Sequence, residues 1–310
     1  MRALAFQEFG TTPTVHQLPT PQPGTGEVLV RIHAASVNGF DLSVASGRVK
    51  DWMEHRFPVV LGKDYAGTVE VVGEGVSDYA VGSRVFGVVT KPYLGDGSFA
   101  QYVTVPVAIG LAHLPDAVSF TDGAALGLAG TAALSAVDAA GLQPGQTVLV
   151  IGATGGVGNQ AVQLAVNAGA KVIATAHSDA ERQLVQSLGA GHVVDYGQDL
   201  AAQVREIAPN GVDVVLNFAG DPASQLPLVR EGGRLVSTLL LSPEQLPSET
   251  VAVTPILAQP TPEMLNRLAE NQATGRTRVH VQQVYALDDA PTALTDFAGG
   301  TLGKLVITTD

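Results

Sequence analysis

The chain has 310 residues, no cysteine, and 17 basic against 29 acidic residues, for a formal charge of −12. The absent cysteines exclude a disulfide framework, a thiol nucleophile, an iron–sulfur cluster and Cys-ligated zinc. The acidic balance speaks against a nucleic-acid footprint and a polybasic membrane anchor, and the length and 45% hydrophobic content supply a large core, with two domains expected.

Met1–Gly10 carries Arg2 and Glu8 among few apolar residues, unlike a signal or transit peptide. From there to Phe120 the chain reads as all-β. Short Val-rich runs (Glu27–His33, Gly67–Val72, Arg84–Val89, Ala100–Val105) are separated by Gly- and Pro-rich turns, which suggests a barrel or sandwich-like unit. The pattern changes near Asp122. A helix is predicted over Ala124–Ala140, and strands then alternate with helices. Strands are expected at Thr147–Ile151, Lys171–Ala174, His192–Asp195, Asp213–Asn217 and Arg234–Leu239. Helices are expected at Asn159–Ala168, Asp179–Leu188 and Leu200–Ala208. Such alternation indicates a parallel sheet covered on both faces. The uncharged stretch Ala139–Ala170 is broken by glycines and Pro144, so it does not read as a membrane span. The tail holds helices at Pro262–Ala273 and Asp289–Phe297, and strands at Val279–Tyr285 and Leu305–Thr308 that are placed to rejoin the N-terminal β unit.

The sharpest motif is the strand Val148–Ile151 running through Gly152, Ala153, Thr154, Gly155, Gly156, Val157 and Gly158 into a helix. Glycines there permit a tight turn, close approach of backbone to a pyrophosphate, and helix packing on the strand, while free amides at the helix start bind the phosphates. A dinucleotide site selective for NAD places an acid at the end of the second strand. Ala176 stands there instead, followed by His177, Ser178 and Arg182. A hydroxyl and a guanidinium suit a 2′-phosphate, which favours NADPH. Taken singly, Ser178 reads equally as a helix cap and Arg182 as a solvated helix charge.

These segments resemble the medium-chain dehydrogenase/reductase family, in its zinc-free, zeta-crystallin-like quinone oxidoreductase branch. The resemblance spans nearly the whole chain. It rests on Ser36–Asp41, Leu61–Val69, Val81–Gly87, Leu142–Gly145, the glycine turn, Ser187–Ala190, Val193–Tyr196, Gly232–Val236 and Gly303–Lys304. It implies a GroES-like β-barrel domain built from both chain ends (1–121 and 259–310) and an inserted Rossmann domain with a doubly wound parallel sheet (122–258), with the active cleft between them. Zinc members carry His-Glu where this chain has Lys63-Asp64, and use cysteines that it lacks. No metal is therefore expected.

The resemblance also assigns roles. Asn38 lies beside nicotinamide and substrate, and Asp41 holds that loop; a cap for the turn Leu42–Ala45 is the alternative for Asp41. Tyr196 approaches the adenosine phosphate, or simply closes a strand. Asn217, Phe218 and Ala219 meet the cofactor where the fourth strand ends. Lys304 faces the cleft, or guards an edge strand. A family threonine that touches nicotinamide is replaced by Ala132, with Thr131 one residue earlier as a possible stand-in. Ser43 occupies a position that is tyrosine in several quinone reductases. The implied activity is hydride transfer from NADPH to a quinone or similar conjugated carbonyl. The alternatives are a C=C reductase of enones or alkenals, and a non-catalytic NADPH-binding sensor or structural protein. The expected setting is a cytoplasmic homodimer, joined through the edges of the parallel sheets, acting on a small molecule with no nucleic-acid or membrane partner.

Overall fold

A computed structural model of the protein describes residues 1–309. The chain forms two compact units: Met1–Leu128 with Gln259–Gly275 and Val281 onward, and Ala129–Ala258 with Arg276–His280. The change of unit falls inside one long helix, Phe120–Ala140, rather than at its expected start near Asp122. That helix begins earlier than its apolar run because Ser119 Oγ accepts the Asp122 amide at 3.1 Å, an N-terminal cap. It is long and apolar enough to cross a membrane, yet 78% of its most apolar window is buried within the protein.

The first unit is a mainly antiparallel β structure. Its main sheet runs Leu111–His113, Arg84–Val88, Asp64–Val72, Glu27–Ser36, Lys304–Thr308, Val281–Ala286, and Tyr102–Pro106 also pairs with Glu27–Ser36. The last two strands of the chain therefore join the sheet started by its first hundred residues, and Val306 pairs with Ser36. Seven of the ten residues of Glu27–Ser36 are buried, on both faces of the strand. Phe6, Ile32, Tyr65, Phe99, Leu111 and Ile307 form the centre of the core.

The second unit is a six-stranded sheet ordered His192–Val194, Lys171–Thr175, Thr147–Ile151, Val212–Asn217, Val229–Ser237, Ala252–Pro255, with every pairing parallel. Thr147–Ile151, the first of these strands in the chain, lies in the middle. Connections leave it in both directions, and its carboxyl end opens a crevice where ligands bind in such sheets. The helix expected from Asn159 begins at Gly156, inside the glycine turn. The strand expected at Arg234–Leu239 is the end of a longer, irregular strand, Val229–Ser237, and Leu239 lies beyond it.

Candidate functional site

In the first unit a polar cluster is buried where three strands and a short helix meet. Ser36 closes one strand, Asp64 opens its neighbour directly opposite, and Lys304 opens the third. Ser36 and Asp64 are fully buried, and Asn38 is 7% exposed. Asp64 Oδ2 accepts from Ser36 Oγ at 2.7 Å, Asn38 Nδ2 at 2.8 Å and Lys304 Nζ at 3.3 Å. Its other oxygen accepts the Leu128 amide at 2.7 Å. Gly127 leaves room for this carboxylate, since a Cβ there would stand 2.5 Å from Asp64 Oδ1. Lys304 also donates to Val37 O at 2.8 Å and Asn38 Oδ1 at 2.7 Å, so all three of its ammonium hydrogens have acceptors. The Asn38 amide is thereby fixed: its oxygen faces a cation and its nitrogen an anion.

Asn38 also precedes the helix Gly39–Ala45 as its N-cap. Asp41 is the third residue of that helix, not the cap of a turn starting at Leu42. Its carboxylate accepts the Asn38 backbone amide at 2.8 Å. Burial pushes Asp41 up to about 7, opposed by the Asn38 amide and reinforced by the charge on Asp64. Burial pulls Lys304 down, opposed by Asp64 and Asp41. Lys304 does not guard a sheet edge, because its strand is paired on both sides, and its ammonium is spent inside this cluster. Sequence reasoning left Ser36 and Asp64 out of the candidate set. The available signal was a pair of opposite charges, each opening an otherwise apolar strand, since a buried charge requires a partner.

In the second unit the glycine turn is built as its sequence requires. A Cβ on Gly158 would lie 2.1 Å from Gly152 O, so only glycine lets the helix approach the turn this closely. Thr175, at the end of the second strand, accepts the Gly152 amide at 3.1 Å and braces the turn. Gly155 is the N-cap and provides no capping side chain. The helices starting after Ser178, Asp199 and Asp221 are instead capped by those side chains. The first amides of the Gly156–Asn167 helix are therefore left for a ligand. Thr154 to Val157 are partly exposed, whereas Ala153 and Gly158 are buried.

His177, Ser178 and Arg182, which follow one strand, meet Tyr196, which follows the next, at the carboxyl ends of the two strands. Two carboxylates organise them. Asp195 bonds His177 Nδ1 at 2.8 Å and Arg182 Nη2 at 3.0 Å, and is itself held by Gln203 through two 2.9 Å bonds. Glu181 accepts from Tyr196 Oη at 3.0 Å and from the amides of His177 and Ser178. Ser178 is the cap of its helix, accepting the Glu181 amide at 3.2 Å, and Arg182 is ion-paired rather than simply solvated. The His177 bond holds Asp195 below the usual carboxylate range, while burial and Glu181 push the Tyr196 hydroxyl up. The Tyr196 ring is 52% exposed, and its hydroxyl is tied to Glu181.

Two assignments change character. Asn217 is fully buried, and its side chain is spent on Ala219 O, Gln225 Oε1 and Ser237 Oγ. It shapes the loop carrying Phe218 and Ala219, which are partly buried and exposed respectively. Thr131 is fully buried in the long helix.

Residues 24–116 match the family described as an alcohol dehydrogenase GroES-like domain, and residues 156–259 match the zinc-binding dehydrogenase family. A chloroplast envelope quinone oxidoreductase homolog from Arabidopsis thaliana is 30% identical over 329 residues, covering 99% of this chain and 98% of the relative. The chain belongs to the medium-chain dehydrogenase/reductase family. As a member it is an oxidoreductase with a GroES-like domain and a Rossmann domain. A 2-methylene-furan-3-one reductase from Solanum lycopersicum is 29% identical over 322 residues, covering 99% of this chain and 79% of the relative. Among solved structures, a mycobacterial family member complexed with NADPH has a TM-score of 0.87 at 28% identity, with both chains fully covered. The chain also matches a mycocerosic acid synthase-like polyketide synthase from Mycolicibacterium smegmatis at 38% identity over 219 residues, but spans only 10% of that protein's length.

Proposed function

We propose that this family member uses NADPH to reduce a quinone or a similar conjugated carbonyl, without zinc. The observation that carries the reading is the second unit's ligand-ready surface: an uncapped glycine helix start beside His177, Ser178 and Arg182, with Ala176 where an NAD site would hold an acid. When bound, NADPH supplies hydride. The turn Ala153–Gly158 offers its amides to the pyrophosphate, and Ser178, Arg182 and Tyr196 surround the 2′-phosphate. Phe218 and Ala219 flank the cofactor, and Asn38, held by Lys304 and Asp64, orients the reacting partners. A solved relative carries NADPH, and a relative named as a quinone oxidoreductase homolog matches along its full length.

The first unit's polar cluster does not suit zinc. The chain has no cysteine, both oxygens of Asp64 are engaged, and an ammonium already occupies the position of a cation beside it. No group of three or more metal-ligating side chains occurs among the described residues. In this reading the acceptor takes hydride without a metal Lewis acid, as quinones and enones do.

Reduction of an enone or alkenal C=C bond is the second reading, favoured by the furanone reductase relative. Steady-state oxidation of NADPH and NADH against matched panels of quinones and enones tests both. Turnover of quinones with NADPH preferred supports the first reading, and turnover of enones alone supports the second. Tight NADPH binding without turnover of any acceptor identifies a non-catalytic binder. We also place the protein in the cytoplasm as a homodimer. The edge strand Ala252–Pro255 has one unpaired side, and Leu239, Leu241 and Leu257 are exposed in the same unit. Sedimentation of the wild type and of L257D decides that assembly.

A further inference from the structure

Two lysines stand beside Asp64, and the first unit treats them in opposite ways. Lys304 is buried with all three hydrogens bonded. Lys63 is only partly buried, and its ammonium makes no direct hydrogen bond to any described residue. It lies 5.6 Å from the centre of the Phe40 ring, within range of a cation–π attraction. The charges that face it are Asp41, from the helix after Asn38, and Asp64, its chain neighbour. Lys63 and Asp41 line one small cavity of about 10 Å³, close to the room one water needs. Asp96 also lines that cavity but is engaged by Lys91 at 2.7 Å and Tyr93 at 2.8 Å.

We propose that Lys63 is the acid of the reaction, donating a proton to the acceptor oxygen, and that Asp41 restores it through the water cavity. This rests on the reductase reading above. The acceptor gains two electrons and one hydrogen as hydride, which leaves its carbonyl oxygen as an oxyanion. The N–H bond of Lys63 breaks as the O–H bond forms, giving the reduced product and a neutral amine. The Asp41 carboxyl proton passes to that amine, and solvent returns a proton to Asp41. The net reaction consumes one proton from water, one NADPH and one acceptor, and releases NADP⁺ and hydroquinone. Burial favours each step, because it pulls Lys63 down from the ordinary lysine value and raises Asp41 to about 7. An acid and a relay group that titrate nearer neutrality are better matched to proton transfer. Of the polar groups around Asn38, Lys63 alone combines partial exposure with a proton that no internal acceptor holds.

The test uses the full chain with Lys63→Met, Lys63→Arg and Lys63→Ala. Both Lys63→Met and Lys63→Arg should lower kcat on a neutral quinone by roughly 100-fold or more, the scale of lost acid catalysis. NADPH affinity, read by fluorescence titration, should not change, which also shows that each variant is folded. Wild-type kcat should fall at alkaline pH, and Lys63→Met should lose that limb. Methylammonium should restore part of the Lys63→Ala rate. In the wild type, carbon-13 NMR of reductively methylated Lys63 should titrate below the other lysines. Wild-type kcat in Lys63→Met, full activity in Lys63→Arg, or a defect confined to KM for anionic acceptors would each overturn the acid role. Wild-type protein that reduces no quinone or enone overturns the reductase reading itself, a result distinct from an active wild type matched by an active Lys63→Met.

Discussion

Two cation–carboxylate sites organise this protein, and they work under opposite conditions. Lys304 and Asp64 have side chains 4% and 0% exposed, whereas Arg182 and Asp195 are 35% and 15% exposed. The buried pair is removed from water, so each member depends on its complete set of partners: Val37 O, Asn38 Oδ1, Asn38 Nδ2, Ser36 Oγ and the Leu128 amide. Loss of either charge strands the other in a medium that cannot solvate it. The outer pair is partly screened, and its bond is of the kind measured at 1 kcal/mol or less. Arg182 can therefore exchange Asp195 for a ligand phosphate at small cost. Burial makes one site a rigid clamp on Asn38 and leaves the other ready to change partners.

The largest expected effect breaks the clamp. Lys304→Met leaves Asp64 buried and unpaired and should cost about 3–5 kcal/mol, read as a drop in the urea midpoint at constant slope. Adding Asp64→Leu removes the stranded charge and should recover most of that loss. If the single variant loses under about 1 kcal/mol, the buried pair carries no more weight than a surface pair.

The same burial makes the first unit sensitive to pH. Asp41 is raised from 3.8 to about 7 in the folded protein. Below pH 3.8 both states hold the proton and the group contributes nothing. Between that pH and about 7 the unfolded chain releases it while the fold retains it, so stability falls with rising pH and then levels off. The slope is at most about 1.4 kcal/mol per pH unit, or roughly 4 kcal/mol across the window. Asp41→Asn keeps an acceptor for the Asn38 amide and removes the titration. Urea unfolding across that window should therefore show a flatter stability profile in the variant, and parallel profiles would place the slope elsewhere.

The sequence was most informative where a local rule is strict. The glycine turn, the cap at Ser178, and the apolar strands of the parallel sheet follow from backbone geometry and burial. The buried cluster was only half legible. Asn38, Asp41 and Lys304 were given roles through family resemblance, while Ser36 and Asp64, its centre, lay in the matching segments without one. Their meeting depends on strand register and on the pairing of Val306 with Ser36 across most of the chain length, which no local pattern encodes. Asp195 and Glu181 were missed for a related reason. The rule for the second strand asks whether an acid stands at its end, and Ala176 answers that it does not. The carboxylates come instead from the neighbouring strand and the following helix, and they hold the cations rather than replace them.

That arrangement sets the smallest effect on stability and the sharpest test of the outer site. Arg182→Ala removes one partly exposed ion pair, so unfolding should shift by no more than about 1 kcal/mol. Its effect on ligand binding should be selective. A guanidinium bonded to phosphate contributes about 1.5–3 kcal/mol, so NADPH affinity should fall by roughly 10- to 100-fold, while NADH, which has no 2′-phosphate, should bind as before. Titration of both nucleotides against wild type and variant reads the difference directly. Equal losses for NADPH and NADH would mean that Arg182 supports the fold of the pocket through Asp195 rather than the phosphate. The exchange of partners that distinguishes this site from the buried clamp would then not occur.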